Sequence, residues 1–425
     1  MNDLTRNPSR SRLRELLRGN TRQYGMAIAL VAVIILFQVL TGGLLLTPLN
    51  ITNLIMQNSY ILILAIGMML VIITGHIDLS VGSVVAFTGA VSAIMLTSWG
   101  LPTVVVVPLA LLLGGLIGAW QGFWIAYVGV PAFIVTLAGM LIFRGATLAV
   151  LGGESIAPLP QSLRVIASGF LPGQTDGLHL PTLALGLGGA AVIVWIQWRT
   201  RARSLARDLP TAPAAVTAAG SALVVAVIVA FTYTLAGHNG LPLVGVLLVA
   251  LIAGYAFVMR STTMGRRVYA VGGSERAAAL SGIRTKRTTF WVFVNMGVLS
   301  ALAGLVFTAR LNAATPGAGT MFELDAIAAA FIGGASAAGG VGSVIGAVIG
   351  ALFMGVLNNG MSLIGLGVDW QQFIKGLVLL LAVAFDIYNK RRVGGSAPIL
   401  PGLRWRLRRS GPERSGEPDR VSGGA

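Results

Sequence analysis

The sequence predicts an all-α, polytopic transmembrane helical bundle of about 10–12 spans with both termini cytoplasmic. Three observations carry that expectation. Only 10% of the 425 residues are charged, against about 25% in soluble domains, and mean hydropathy is +0.83. Several continuous apolar runs reach the roughly 20 residues that a helix needs to cross a bilayer, and their continuity excludes an outer-membrane barrel, whose strands alternate. The basic residues cluster at 6–22, 199–207, 260–287 and 390–420, each just outside an apolar run, as cytoplasmic segments do. Those clusters hold 26 of the 30 lysines and arginines, so the +16 net charge reads as a topology signal and no nucleic-acid partner is expected.

Residues 1–23 form a basic cytoplasmic arm, 24–392 the membrane domain, and 393–425 a disordered cytoplasmic tail rich in Pro, Gly, Ser and Arg. The first span covers 24–46. Its apolar run is too long for a signal-peptide core and lacks a cleavage site, so it is retained. Thr47 to Ser59 carries no charge, and Asn50, Asn53 and Gln57 share one helical face. That pattern predicts a segment lying along the outer surface. Spans at 60–74 and 82–98 flank the link GHIDLSVG, and further spans follow at 103–125 and 131–150. A turn-rich loop, 152–178, carries Glu154, Arg164 and Asp176. Spans at 179–198, 214–236 and 241–259 enclose the basic stretch RTRARSLAR and the outer turn GHNGLP. A basic cytoplasmic loop, 260–289, precedes a span at 290–309. Residues 326–358 are rich in Gly and Ala and break at Ala338-Gly339-Gly340. The charge rule requires them to cross an even number of times, as two short spans or a re-entrant hairpin, before the last span at 371–388. Val81-Gly82-Ser83-Val84 recurs as Val341-Gly342-Ser343-Val344, a weak internal echo of the kind duplicated transporters show.

The sequence leaves little room for chemistry in this chain. It has no cysteine, which removes disulfides, thiolate metal sites and a cysteine nucleophile. None of Lys286, Lys375 and Lys390 follows a glycine, so no phosphate-binding P-loop exists. His76, His179 and His238 lie far apart without metal-ligand spacing. No enzyme activity, metal or cofactor of its own is expected. Asp78 either caps the helix that starts near Ser80 or takes part in gating. No buried carboxylate relay is evident, which weakens proton- or sodium-coupled transport and favours energy from another chain. Polar residues on or beside spans are the candidate lining of a translocation path: Asn53, Gln57, Asp78, Asn295, Asn358 and Asn359. Trp120 and Trp124, four residues apart, are best read as anchors at the membrane interface.

The stretch 264–283 is polar and small-residued where nearly everything else is apolar. It reads as a short helix between two glycine stops. Gly272 and Gly273 end the preceding segment, Ser274 caps the helix and Gly282 stops it. Ala277, Ala278 and Ala279 give a slim surface that can enter a groove, with Glu275 and Arg276 placed to pair with charges on its rim.

Three stretches, TGHIDLSVGS (74–83), VYAVGGSERAAALSGI (268–283) and ELDAIAAAFIGGASAAGGVGS (323–343), resemble the permease subunits of bacterial ABC importers for monosaccharides, the ribose, xylose, arabinose and galactose group. The resemblance extends over about 25–392. The extra loop and hairpin at 199–259 is most similar to the xylose type. His76 stands where glycine is usual in that family, and Ser274 where asparagine is common. The resemblance implies a multi-pass protein of the bacterial inner membrane that pairs as a homodimer. It implies a cytoplasmic ATPase subunit, which binds the ATP, and a periplasmic sugar-binding protein. It places the ATPase-coupling segment at Gly272, Gly273, Ser274, Glu275, Arg276, Ala277, Ala278, Leu280 and Gly282. Two rivals are a permease for branched-chain amino acids and a secondary carrier of the major facilitator type. The second usually carries a basic motif where this chain has GHIDLSVG.

Overall fold

A computed structural model describes residues 21–393 apart from 174–176, 210 and 212. Most of the basic arm, Asp176 and the C-terminal tail therefore lie outside the described residues. Among those described there is no strand, only two isolated bridges, Ile156 with Ala314 and Phe170 with Pro242. The helices are α1 (Thr21–Leu40), α2 (Pro48–Ile73), α3 (Val81–Thr97), α4 (Thr103–Phe123), α5 (Ala132–Leu151), α6 (Gln161–Ser168), α7 (Leu180–Leu205) and α8 (Ala214–Ala236). They continue as α9 (Leu243–Ser261), α10 (Thr263–Gly273), α11 (Glu275–Leu280), α12 (Thr285–Leu311), α13 (Phe322–Ile332), α14 (Val344–Leu363) and α15 (Val368–Val393). Eight of these are long and apolar enough to cross a membrane, and Gly25–Leu40 and Val81–Thr97 are shorter apolar helices. Each predicted span thus meets a helix.

Three local expectations change. The segment 47–59 does not lie on a surface. It is the first half of α2, a single 26-residue helix that runs through the centre of the bundle. Of the polar residues that gave the pattern of a surface helix, Asn50 is buried and bonded inside, Asn53 is half-buried and Gln57 is exposed. Asn50 and Asn359 exchange two side-chain hydrogen bonds, 2.9 and 3.1 Å, across α2 and α14. The loop after α5 contains α6, whose Leu163 and Ala167 are buried. The stretch 264–283 holds two helices, α10 and α11, rather than one.

The core is the α2–α3–α4–α12 group, and it is built on close backbone approach. Gly114, Gly118 and Gly122 recur every fourth residue on α4 and face Gly297, Phe293 and Phe290 of α12. A β-carbon at Gly114 or Gly118 would overlap the carbonyl oxygen of Gly297 or Phe293. Apolar side chains gain little from contact with each other in lipid, so small residues that let helices touch supply the packing. Gly304 of α12 faces Thr88 and Val85 of α3 in the same manner, and Gly350 of α14 faces Ala329 of α13. By contrast α7 and α8 pair mainly with each other at the periphery, with most of their apolar side chains exposed.

The Gly/Ala-rich region breaks at 333–343, about where the sequence predicts. One side of the break is α13, 11 residues and so about 16 Å long, half a bilayer core. The non-helical stretch 312–321 leads into it, with Ala314, Ala318 and Gly319 buried and Gly317, Thr320 and Met321 exposed. Gly319 packs against Gly82 at the start of α3, and the Ala318 carbonyl accepts a 2.6 Å hydrogen bond from Arg144 Nη1. Irregular backbone survives at membrane depth only when its polar groups are met inside the protein, and Arg144 meets one of them.

Gly118→Leu therefore forces apart a crossing that has no room for a β-carbon. It should cost at least about 1–3 kcal/mol, read as a lower melting temperature and monodisperse yield in detergent. Gly145→Leu, with open space around it, should change neither.

Candidate functional site

Two regions bring the predicted residues together, one at the end of the bundle where the basic loops gather and one towards the opposite end. At the basic end, α10 begins at Thr262, whose hydroxyl accepts from the Gly265 amide, and runs to Gly273. The hydroxyl of Ser274 then accepts from the Ala277 amide at 3.3 Å, and this cap starts α11. Gly282, with φ +80, ends it in a conformation that favours glycine. The helix has two faces. Ala278 is buried against the bundle, while Glu275, Arg276, Ala277 and Leu280 point away from it, Leu280 with 91% of its surface exposed. A large apolar side chain standing free on a six-residue helix is the kind of anchor that fills a partner's pocket.

This surface helix is tied to the core through backbone. Gly272 wedges between the end of α2 and the 333–343 break, where a β-carbon would overlap the Ile73 carbonyl oxygen. The same carbonyl accepts a 2.8 Å hydrogen bond from the Gly340 amide, and Tyr269 donates to the Gly342 carbonyl at 2.8 Å. Val268 and Val271 are buried beneath. Gly272 is thus a packing position inside the junction, whereas Gly273 is exposed with nothing near its missing side chain. His76 lies beside the junction, 5.9 Å from the Phe293 ring. Burial pushes its pKa down and the Glu275 carboxylate pulls it back up.

Towards the other end, α2 and α12 flank a half-open cavity of about 300 Å³ lined by Met56, Gln57, Ser59, Tyr60, Phe307, Arg310 and Leu311. Of the predicted path residues, Gln57 lines it and Asn53 lies one turn away on the same face of α2. The others sit elsewhere. Asn359 is held by Asn50. Asn295 accepts a hydrogen bond from the Tyr255 hydroxyl. Asp78 accepts from the Ser80 amide at 2.8 Å and the Ser80 hydroxyl at 2.6 Å, and that hydroxyl also accepts from Gln121 at 2.7 Å. Asp78 therefore shapes the turn that starts α3.

The sequence shows no carboxylate relay, yet the fold buries three carboxylates. Asp78, Glu323 and Asp325 are only 2, 9 and 2% exposed. Asp325 faces Lys375 of α15 at 3.2 Å and accepts from Tyr60 at 3.4 Å and Asn358 at 3.5 Å. Sequence reasoning missed this cluster because its four members come from four helices. A charge of either sign at membrane depth was the available signal. Removing one member of a buried pair strands the other at a cost of about 3–5 kcal/mol. Lys375→Met should lower thermal stability in detergent accordingly, and adding Asp325→Leu should restore most of it. Among the described residues no group of His, Cys, Asp and Glu could hold a metal ion.

Comparison with known proteins matches residues 50–383 to a family described as the permease component of branched-chain amino acid transport systems. The xylose transport system permease protein XylH of Escherichia coli K12 is 42% identical over 375 residues, 88% of this chain and 93% of that one. The XylH of Haemophilus influenzae is 42% identical over 376 residues, 88% and 98% of the two chains. The ribose import permease protein RbsC of H. influenzae is 36% identical over 342 residues, 80% and 85%. No solved structure matches at comparable stringency. A match over most of the chain, joined to eight membrane-crossing helices, makes this chain a multi-pass transport permease that belongs to that permease family.

Proposed function

We propose that this chain is the membrane-spanning subunit of an ABC importer in the bacterial inner membrane and that it carries a monosaccharide, D-xylose. The substrate rests on the relatives, which are named for xylose and ribose. Branched-chain amino acids, named in the family description, fit the cavity less well. Its lining includes Arg310 but no carboxylate to receive an ammonium group.

The observation that carries the mechanism is the exposed Leu280 on a helix tied by backbone to α2. A separate ATPase subunit, which binds the ATP, receives α11. Leu280 enters its groove, and Glu275, Arg276 and Ala277 contact the rim. When the ATPase closes, α11 moves as a lever. The contact of Gly272 with Ile73 and Gly340 passes that movement to α2 and to the 333–343 break. Because α2 forms one wall of the cavity and α12 the other, their relative movement opens the cavity to one side and then the other. A sugar-binding protein docks on the face opposite the basic loops, two copies of this chain form the path, and this chain catalyses nothing itself. The basic end is cytoplasmic, as the clustered arginines require.

Burying Leu280 in a partner is worth about 2 kcal/mol. Leu280→Ser should therefore weaken binding of the ATPase subunit roughly 30-fold, measured as the Kd of the detergent-solubilised subunits. It should depress ATP hydrolysis stimulated by the loaded binding protein without changing the melting temperature. Unchanged affinity would remove α11 from the interface. Orientation has its own test, because the chain has no cysteine. A cysteine at Asn239 should react with an impermeant maleimide only from outside the cell, and one at Ser274 only from inside.

A further inference from the structure

Arg310 is placed unusually for a membrane protein. It belongs to the last turn of α12 and lines the cavity between α2 and α12. Its Nε is buried, and among the described residues its guanidinium has no hydrogen-bond or ion-pair partner. Charged side chains at membrane depth are costly and normally paired with each other or with backbone carbonyls. The negative end of the α12 dipole offsets only part of that cost. Arg144 shows the usual solution in this protein, since it bonds the Ala318 carbonyl. Arg310 instead faces empty space.

The rest of the lining indicates what fills that space. Gln57, on the opposite wall, is exposed and offers an amide with both a donor and an acceptor. Met56, Phe307 and Leu311 supply apolar surface, with the Phe307 ring edge-on to Tyr60. The Tyr60 hydroxyl is engaged with Asp325, and the Ser59 hydroxyl donates to the Met56 carbonyl at 2.9 Å. The free polar groups are therefore one guanidinium and one amide across an apolar gap. A volume of about 300 Å³ lies at the small end of ligand pockets, the size for one ring. Hydroxyl oxygens on one edge of such a ring can accept from Arg310, while Gln57 bonds the other edge and the C–H face rests on Phe307.

We infer that this cavity is a contact site for a single neutral sugar ring, with Arg310 and Gln57 as its hydrogen-bonding residues. The inference rests on the transport reading above and adds to it where the sugar pauses and which side chains select it. With only two free polar groups the site holds its ligand weakly, which lets the sugar leave.

The test uses the assembled complex of this chain, its ATPase and its binding protein, first shown to import D-xylose when ATP is supplied. A complex that imports no monosaccharide overturns the transport reading itself. In an importing complex, Leu311→Cys, at an exposed apolar position of the lining, is labelled with a maleimide, the binding protein being omitted. Excess D-xylose should slow that labelling several-fold. Arg310→Met should abolish that protection, and Arg310→Lys should retain part of it. Unchanged labelling rates in a complex that imports D-xylose would overturn the site. So would protection by the anion D-xylonate but not by D-xylose, which would make the cavity an anion site.

Discussion

A β-carbon has no room at Gly272, where the end of α2 and the 333–343 break close on the backbone of α10. The same constraint recurs at Gly114 and Gly118 between α4 and α12, and at Gly350 between α13 and α14. Lipid gives helices no hydrophobic reason to pack, so contact between backbones supplies cohesion. It also sets how movement travels. Interdigitated side chains can slide by changing rotamer, but backbones that touch move together. The surface pair α10–α11 is therefore mechanically continuous with the central helix α2, and α2 is continuous with the wall of the cavity.

Polar and charged groups complete what the glycines begin. The reciprocal bonds of Asn50 and Asn359 fix α2 against α14, and the Asp325–Lys375 pair fixes the half-helix α13 against α15. These groups bond much of the polar surface near α13 and α14, although Glu323 Oε2 and Asn358 Oδ1 stay buried without a hydrogen-bond partner. Arg310 and Gln57, across the cavity, remain without such partners. The difference separates side chains that hold the protein together from those available to something passing through.

The sequence disclosed the helices well, because runs such as 214–236 must be apolar throughout to face lipid. It disclosed the cap at Ser274 and the stop at Gly282 because those rest on local backbone chemistry. Residues 47–59 misled because Asn50, which bonds to another helix, shares a face with Asn53 and Gln57, and that face has the same pattern as one turned to water. The Asp325 cluster and the bond from Arg144 to Ala318 were illegible for a related reason. Their members are separated by 50 and 174 positions in the chain, and only the fold brings them together. The roles of Asn295, Asn358 and Asn359 needed the same information, since an asparagine on a span reads alike whether it holds a neighbouring helix or lines a path.

The central claim is that ATP spent by a partner drives a sugar through this chain. It is tested most directly by proteoliposomes that contain this permease, its ATPase subunit and the corresponding binding protein, with ATP on the face that carries α11. The account predicts ATP-dependent accumulation of D-xylose that needs the loaded binding protein, and no accumulation of L-leucine. Accumulation of L-leucine instead, or D-xylose uptake driven by a proton gradient without ATP, would contradict it.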